Sequence, residues 1–180
     1  MPDRPSDIFE MTLAPGVVMG FRQIPGGSFR MGQLRGESNE EPVHLMKIPC
    51  HFWLGETPVT QLQYRLMAEQ CLDELSAIGG NRGVSPSHFP TAGRGDDYPV
   101  EQVSWDDATC ICNWLTKSAL LPEGCRAALP TEAQWEYACR AGTKRSTIPV
   151  TVKQHWVWRA GSPKTPMEQH IRCAESKQTD

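Results

Sequence analysis

Three short segments with the same capping pattern predict where three helices of this chain begin. Each places a hydroxyl residue three positions before a Gln or an Asp: Thr60-Gln61-Leu62-Gln63, Ser104-Trp105-Asp106-Asp107 and Thr131-Glu132-Ala133-Gln134. In such a capping box the hydroxyl accepts a hydrogen bond from the backbone N–H of the third helical residue, whose side chain bonds back to the cap. We therefore expect three separate short helices.

The residues that follow the caps have helical apolar spacing. The three faces are Tyr64, Met67, Cys71 and Leu75, then Ala108, Ile111, Cys112 and Leu115, then Trp135, Ala138 and Cys139. We expect the tryptophans Trp105, Trp114 and Trp135 to pack in the core. Asp106 and Asp107 belong to a first helical turn, where the helix dipole favours negative charge.

Glycine and proline limit the length of every other element. The 180 residues include 15 Gly and 15 Pro, which predicts short elements joined by many turns and not a helical bundle. Apolar runs predict strands at 17–21, 29–31 and 43–48, the first two on either side of a Pro-Gly-Gly turn, and 52–54 is a further short apolar run. We expect residues 1–16 to form a flexible arm and residues 79–99 an ordered, irregular loop.

Composition and charge argue against several classes of function. The net charge is −3, with acidic and basic residues mixed, so no nucleic-acid partner is predicted. No run approaches the roughly 18 apolar residues that a membrane span needs, and no membrane partner is predicted. The N-terminus lacks the pattern of a secretory signal, which predicts a cytoplasmic protein. Seven cysteines without zinc-finger spacing are expected to be core side chains or incidental thiols.

No constellation of catalytic residues stands out in this sequence. It shows no phosphate loop and no nucleotide fingerprint, and no Ser-His-Asp arrangement is evident. We expect His44 to be a structural group in a strand, and Asp96 and Asp97 to lie in a solvated loop. The sequence therefore predicts no catalytic, metal-binding or cofactor-binding residue, and the substrate-binding residues are unknown.

Three segments in a fixed order resemble one family. They are Ile24-Pro25-Gly26-Gly27-Ser28-Phe29-Arg30-Met31-Gly32, then Tyr98 to Ala108, then Leu129 to Ala138 followed by Arg140-Ala141-Gly142. Together they resemble the signatures of the formylglycine-generating enzymes, also called sulfatase-modifying factors. The resemblance covers 17–143. It implies an irregular α+β domain related to C-type lectins, with short strands and about three helices.

The same resemblance implies where the chemistry of the family lies. Family members oxidise a sulfatase cysteine to formylglycine with copper, using a pair of cysteines near the C-terminal end of the domain. After Thr143 the family pattern is no longer recognisable, and Cys173 is the only cysteine there. We therefore expect the C-terminal part of the domain to be missing and 144–180 to be a non-homologous, disordered tail. Copper, calcium and a sulfatase partner are expected only for an intact family member.

A frameshift is one explanation for the tail. Possible codons from Arg145 onward, when they are shifted by two bases, encode text close to the missing family pattern, which suggests a frameshift at Lys144 or Arg145. A divergent natural tail is the alternative. The resulting hypothesis is a truncated, inactive relative of the formylglycine-generating enzymes. The alternative is a non-catalytic, C-type-lectin-like binding or accessory module, and whether the chain is an enzyme is left open.

Overall fold

The fold mixes short strands with short helices. The computed structural model describes residues 7–34, 40–78, 83–89, 95–142 and 159–161. Within those ranges the strands are β1 (Ile8–Ala14), β2 (Val17–Ile24), β3 (Gly27–Met31), β4 (His44–Ile48), β5 (Phe52–Gly55), β6 (Arg126–Ala128) and β7 (Arg159–Gly161). The helices are α1 (Gln61–Gln70), α2 (Leu72–Ile78), α3 (Trp105–Lys117) and α4 (Glu132–Arg140), with a 3-10 turn at Gly95–Asp97.

The larger sheet contains five strands in the order β1-β2-β5-β7-β6. Strand β1 pairs with β2 in antiparallel register, so that Met11 lies opposite Met19. The prediction of a flexible arm over residues 1–16 is therefore wrong for Ile8–Ala14. The physical reason is the burial of Met11, which is 1% exposed and ties the strand to the core.

Strands β2 and β3 belong to different sheets, although the sequence predicts that they flank one turn. Strand β2 pairs with β5, with Ile24 opposite Phe52, whereas β3 pairs with β4 in a separate two-stranded sheet. The two strands bury different surfaces. Phe21 of β2 packs in the main core, while Phe29 of β3 packs against Tyr137 of α4, with ring centroids 5.3 Å apart.

All three predicted capping boxes are present. Thr60, Ser104 and Thr131 each accept a hydrogen bond from the backbone N–H three residues on, and each receives the reciprocal bond. The first predicted helix is divided at Cys71, so the described residues contain four α-helices where about three were expected. Its apolar face is nevertheless confirmed, because Tyr64, Met67, Cys71 and Leu75 are all buried.

The main core lies between the larger sheet and the helices α1 to α3. Its largest fully buried side chains are Met11, Phe21, Val59, Met67, Cys71, Leu75, Ile111 and Leu115. Burying one large apolar side chain contributes roughly 1.5–3 kcal/mol, so this cluster is the main stabilising feature of the described residues.

The exposure of Trp105 shows that the prediction of three tryptophans packed in the core is wrong for this residue. Its side chain is 66% exposed, whereas Trp114 packs against the core and Trp135 is half-buried. Trp105 is the first residue of α3, and the inward-facing row of that helix begins only at Asp107 and Ala108.

Strand β7 lies between β5 and β6 in the larger sheet. Ala160 is opposite Trp53 on one side and opposite Ala127 on the other. These three residues of the predicted tail therefore have regular structure. The boundary predicted at Thr143 lies outside the described residues. None of the helices in the described ranges is long and apolar enough to cross a membrane.

Candidate functional site

A cleft of about 390 Å³ opens between α2 and α3. The side chains that matter for its chemistry are Cys71, Glu74, Asp106, Cys110, Asn113 and Lys117. We call it the α2–α3 cleft. It combines two thiols, two carboxylates, an amide and an ammonium group. The cleft therefore brings polar and titratable groups together with apolar side chains such as Ile78 and Trp114.

The helical repeat explains how α3 supplies both the core and the cleft. Ala108, Ile111 and Leu115 are separated by three and four residues, and they point into the core. Asp106, Cys110, Asn113 and Lys117 follow the same spacing on the neighbouring face. That second row was not recognised from the sequence, although its spacing could have revealed it.

The charged groups of the cleft act on the two thiols. Burial raises the pKa of the Cys110 thiol, and the carboxylates of Glu74 and Asp107 add to that effect. The Cys71 thiol and the Lys117 ammonium group oppose it. Burial also raises the pKa of Cys71, to about 12. The two thiols also influence each other: Cys110 raises the pKa of Cys71, and Cys71 lowers the pKa of Cys110.

The five free thiols among the described residues share one electrostatic property. Burial raises the pKa of each of them: Cys71, Cys110, Cys112, Cys125 and Cys139. Cys112 faces the core and Cys110 the cleft, as expected for residues two apart on a helix. Cys50 departs from the expectation of core or incidental thiols, because it is disulfide-bonded.

The described residues do not fit the copper centre that the resemblance implies. Within the described ranges, no three His, Cys, Asp or Glu side chains come together as metal ligands. Thiols also bind copper as thiolates, and burial favours the protonated form of every free thiol described. No catalytic step through copper can be assigned to these side chains.

His44 and Asp96 have structural partners. The Nδ1 atom of His44 hydrogen-bonds the carbonyl oxygen of Pro42 at 3.0 Å, in agreement with the prediction of a structural histidine. Asp96 accepts a hydrogen bond from Arg65 at 2.9 Å. The prediction of a merely solvated loop therefore misses an ion pair between that loop and α1.

The first and third sequence motifs meet in the structure. The backbone N–H of Gly32 donates to Glu136 at 3.0 Å, and Arg140 donates to the carbonyl oxygen of Gly32 at 2.9 Å. Glu136 and Arg140 also form an ion pair with side chains only 14% and 11% exposed. Sequence reasoning missed this contact, whose only signal was two opposite charges four residues apart on α4.

The second motif forms hydrogen bonds with the residues before α1 and with the loop that precedes the motif itself. The backbone N–H of Val100 donates to the carbonyl oxygen of Val59 at 2.9 Å. The Glu101 carboxylate accepts hydrogen bonds from the backbone N–H groups of His88 and Phe89, the second at 3.0 Å. Glu101 was not singled out from the sequence, since its partners lie 12 and 13 residues away.

The family of the chain follows from a comparison with known domains. The sequence model of one protein family, the sulfatase-modifying factor enzyme 1-like domain, matches residues 13–175 of this chain. The chain belongs to this family. All three motif segments lie inside the matched region of this sulfatase-modifying factor domain, and the match continues beyond the boundary predicted at Thr143 and includes strand β7.

Curated relatives show the same relationship over most of the chain. A formylglycine-generating enzyme of Streptomyces coelicolor is 30% identical over 166 residues, which cover 71% of this chain and 49% of that protein. The inactive C-alpha-formylglycine-generating enzyme 2 of Bos taurus is 29% identical over 175 residues, covering 77% of this chain and 54% of that protein. The chain therefore spans about half the length of these curated relatives.

A solved structure supports the fold. Treponema denticola variable protein 1 superposes with a TM-score of 0.58 at 21% identity, over 83% of this chain and 62% of that one. At this identity the likeness concerns the fold alone. The predicted mixed fold of short strands and helices in the sulfatase-modifying factor family is thereby confirmed.

Proposed function

We propose that this 180-residue chain is a member of the formylglycine-generating enzyme family that does not itself oxidise a cysteine to formylglycine. The observation that carries this proposal is the environment of the described thiols. All five free cysteines have pKa values raised by burial, and those of Cys71 and Cys112 reach about 12. A thiol in such surroundings is protonated at neutral pH and is a poor nucleophile and a poor metal ligand.

The proposal also rests on what the resemblance implies for the C-terminal part of the domain. The family uses a pair of cysteines there, and the sequence beyond Thr143 contains Cys173 alone. A single thiolate supplies one soft ligand where the copper chemistry of the family needs two. For an intact family member we propose a sulfatase or another protein as substrate, with copper and calcium bound. For this chain we propose a cytoplasmic location.

The test is a direct assay with a matched positive control. The purified chain is loaded with copper and incubated with a Cys-x-Pro-x-Arg peptide, and the peptide aldehyde is measured by mass spectrometry. The related Streptomyces coelicolor enzyme is assayed in parallel under the same conditions. We expect aldehyde from the control enzyme and none from this chain above a metal-free blank. Copper-dependent aldehyde from this chain overturns the proposal.

A non-catalytic binding module is the second candidate, and one feature of the α2–α3 cleft favours it. The hydroxyl oxygen of Thr109 is buried at this cleft and has no hydrogen-bond partner among the described residues. A ligand with a polar group could satisfy it. Titration of the same peptide against the chain, followed by fluorescence anisotropy, separates binding without turnover from no binding.

The predicted frameshift at Lys144 or Arg145 has its own test. The family match through residue 175 and the strand at Arg159–Gly161 both count against it, since a natural tail accounts for them directly. Sequencing the gene separates the two explanations. If the bases after Gly142 cannot encode the shifted family pattern, the natural-tail explanation holds.

A further inference from the structure

Two thiols from distant parts of the chain line the α2–α3 cleft. Cys71 lies between α1 and α2, and Cys110 lies on the second turn of α3, 39 positions further along the chain. Both line the same cleft, and each thiol shifts the pKa of the other. Two cysteines that face one cleft from neighbouring elements are candidates for a disulfide, whereas two distant or diverging cysteines are not.

The two thiols differ in their access to solvent. Cys71 is 1% exposed, and its thiol donates a hydrogen bond to the carbonyl oxygen of Met67 at 3.4 Å. Cys110 is only partly buried on the face of α3 that forms the cleft. A reagent that enters the cleft therefore reaches Cys110 first, and Cys71 lies behind it.

We propose that Cys71 and Cys110 form a dithiol modification site, which a small disulfide such as oxidised glutathione converts through the cleft into a disulfide between α1 and α3. The Cys110 thiolate attacks one glutathione sulfur, the glutathione S–S bond breaks, and one glutathione leaves as a thiol. The Cys71 thiolate then attacks the Cys110 sulfur and releases the second glutathione. Two protein thiols are oxidised, and one glutathione disulfide is reduced to two thiols.

The groups around Cys110 determine how this reaction depends on pH. Burial, Glu74 and Asp107 raise the pKa of Cys110, while the Cys71 thiol and Lys117 lower it. The reacting species is the thiolate. Below the pKa of Cys110 the first step should therefore accelerate about tenfold for each unit of pH. This modification does not depend on formylglycine chemistry, so it stands or fails independently of the proposed inactivity.

Peptide mapping of the whole chain tests the site. The protein is incubated with oxidised glutathione at mildly alkaline pH, the remaining thiols are alkylated, and non-reduced peptides are identified by mass spectrometry. We expect a linked peptide pair that contains Cys71 and Cys110. Cys125→Ser is the matched control, because this half-buried thiol does not line the cleft and its removal should leave the linked pair unchanged.

Two variants distinguish the proposed order of events from unspecific oxidation. In Cys71→Ser the mixed glutathione disulfide should accumulate on Cys110, because the second thiol is missing. In Cys110→Ser no glutathione should attach to the buried Cys71. Circular dichroism checks that each variant is folded. If a variant does not fold, the linked peptide pair in the chain without substitutions decides the test. The proposal is overturned if the native chain carries glutathione on Cys110 without the link, or if Cys110→Ser is modified at Cys71.

Discussion

Arg140 donates a hydrogen bond from its Nη2 atom to the backbone carbonyl oxygen of Gly32, 2.9 Å away. The same guanidinium group pairs with Glu136, whose carboxylate accepts the backbone N–H of Gly32 at 3.0 Å. Both polar groups of the Gly32 peptide backbone are thus bound by α4. This contact joins the end of β3 to a helix more than 100 positions later in the chain.

Removing the Arg140 charge should therefore be costly. Arg140→Met leaves the Glu136 carboxylate, which is 14% exposed, without its ion-pair partner, and such a loss costs about 3–5 kcal/mol. Arg22→Met is the matched control, because the Arg22–Glu56 pair is 54% and 36% exposed and should be worth about 1 kcal/mol at most. Urea unfolding measures both free energies. Equal losses in the two variants would contradict the structural role of the buried pair.

Gly32 should not tolerate a side chain. Its φ angle is +93°, and a Cβ atom there would collide with the backbone carbonyl oxygen of Glu40. Gly16 has a similar φ of +79° but open space around it. Gly16→Ala should cost about 1 kcal/mol from backbone conformation alone, and Gly32→Ala clearly more, because the clash adds to the same strain. Thermal melts of the two variants show whether that difference exists.

Trp105 and Trp114 should respond differently to truncation. Trp105 is 66% exposed, so Trp105→Ala should change the unfolding free energy by about 0.5 kcal/mol or less. Trp114 packs against the core, and Trp114→Ala should cost about 2 kcal/mol or more. Denaturant titration of the two variants gives the comparison. A large loss from Trp105→Ala would show that this side chain is covered in solution.

Stability should decrease at alkaline pH because of Cys112. Burial raises the pKa of Cys112 from 9.0 to about 12, so the folded state holds this proton more tightly than the unfolded state does. Its contribution is fully present below pH 9 and is lost as pH rises toward 12. The slope should approach about 1.4 kcal/mol per pH unit in that window. Urea unfolding of Cys112→Val from pH 8 to pH 10.5 should show a shallower decline than the native chain.

Local sequence determined the parts of this protein that depend on neighbouring residues. The capping boxes at Thr60, Ser104 and Thr131 were predicted because their donors and acceptors lie within four positions, and all three are present. The motif segments likewise identified the family over most of its matched length. Short-range hydrogen bonding and apolar periodicity need no knowledge of the rest of the fold.

Only the tertiary structure decided which distant segments meet. Strand β1 belongs to the larger sheet because Met11 is buried in the core. Strand β3 pairs with β4 and packs against α4, although β2 is its neighbour in sequence. The cleft that Cys71 and Cys110 share and the binding of Gly32 by α4 also bring together residues far apart in the chain. The free energy of such contacts comes from burial and pairing between surfaces that the chain brings together only on folding. A pattern read along one segment therefore cannot contain them.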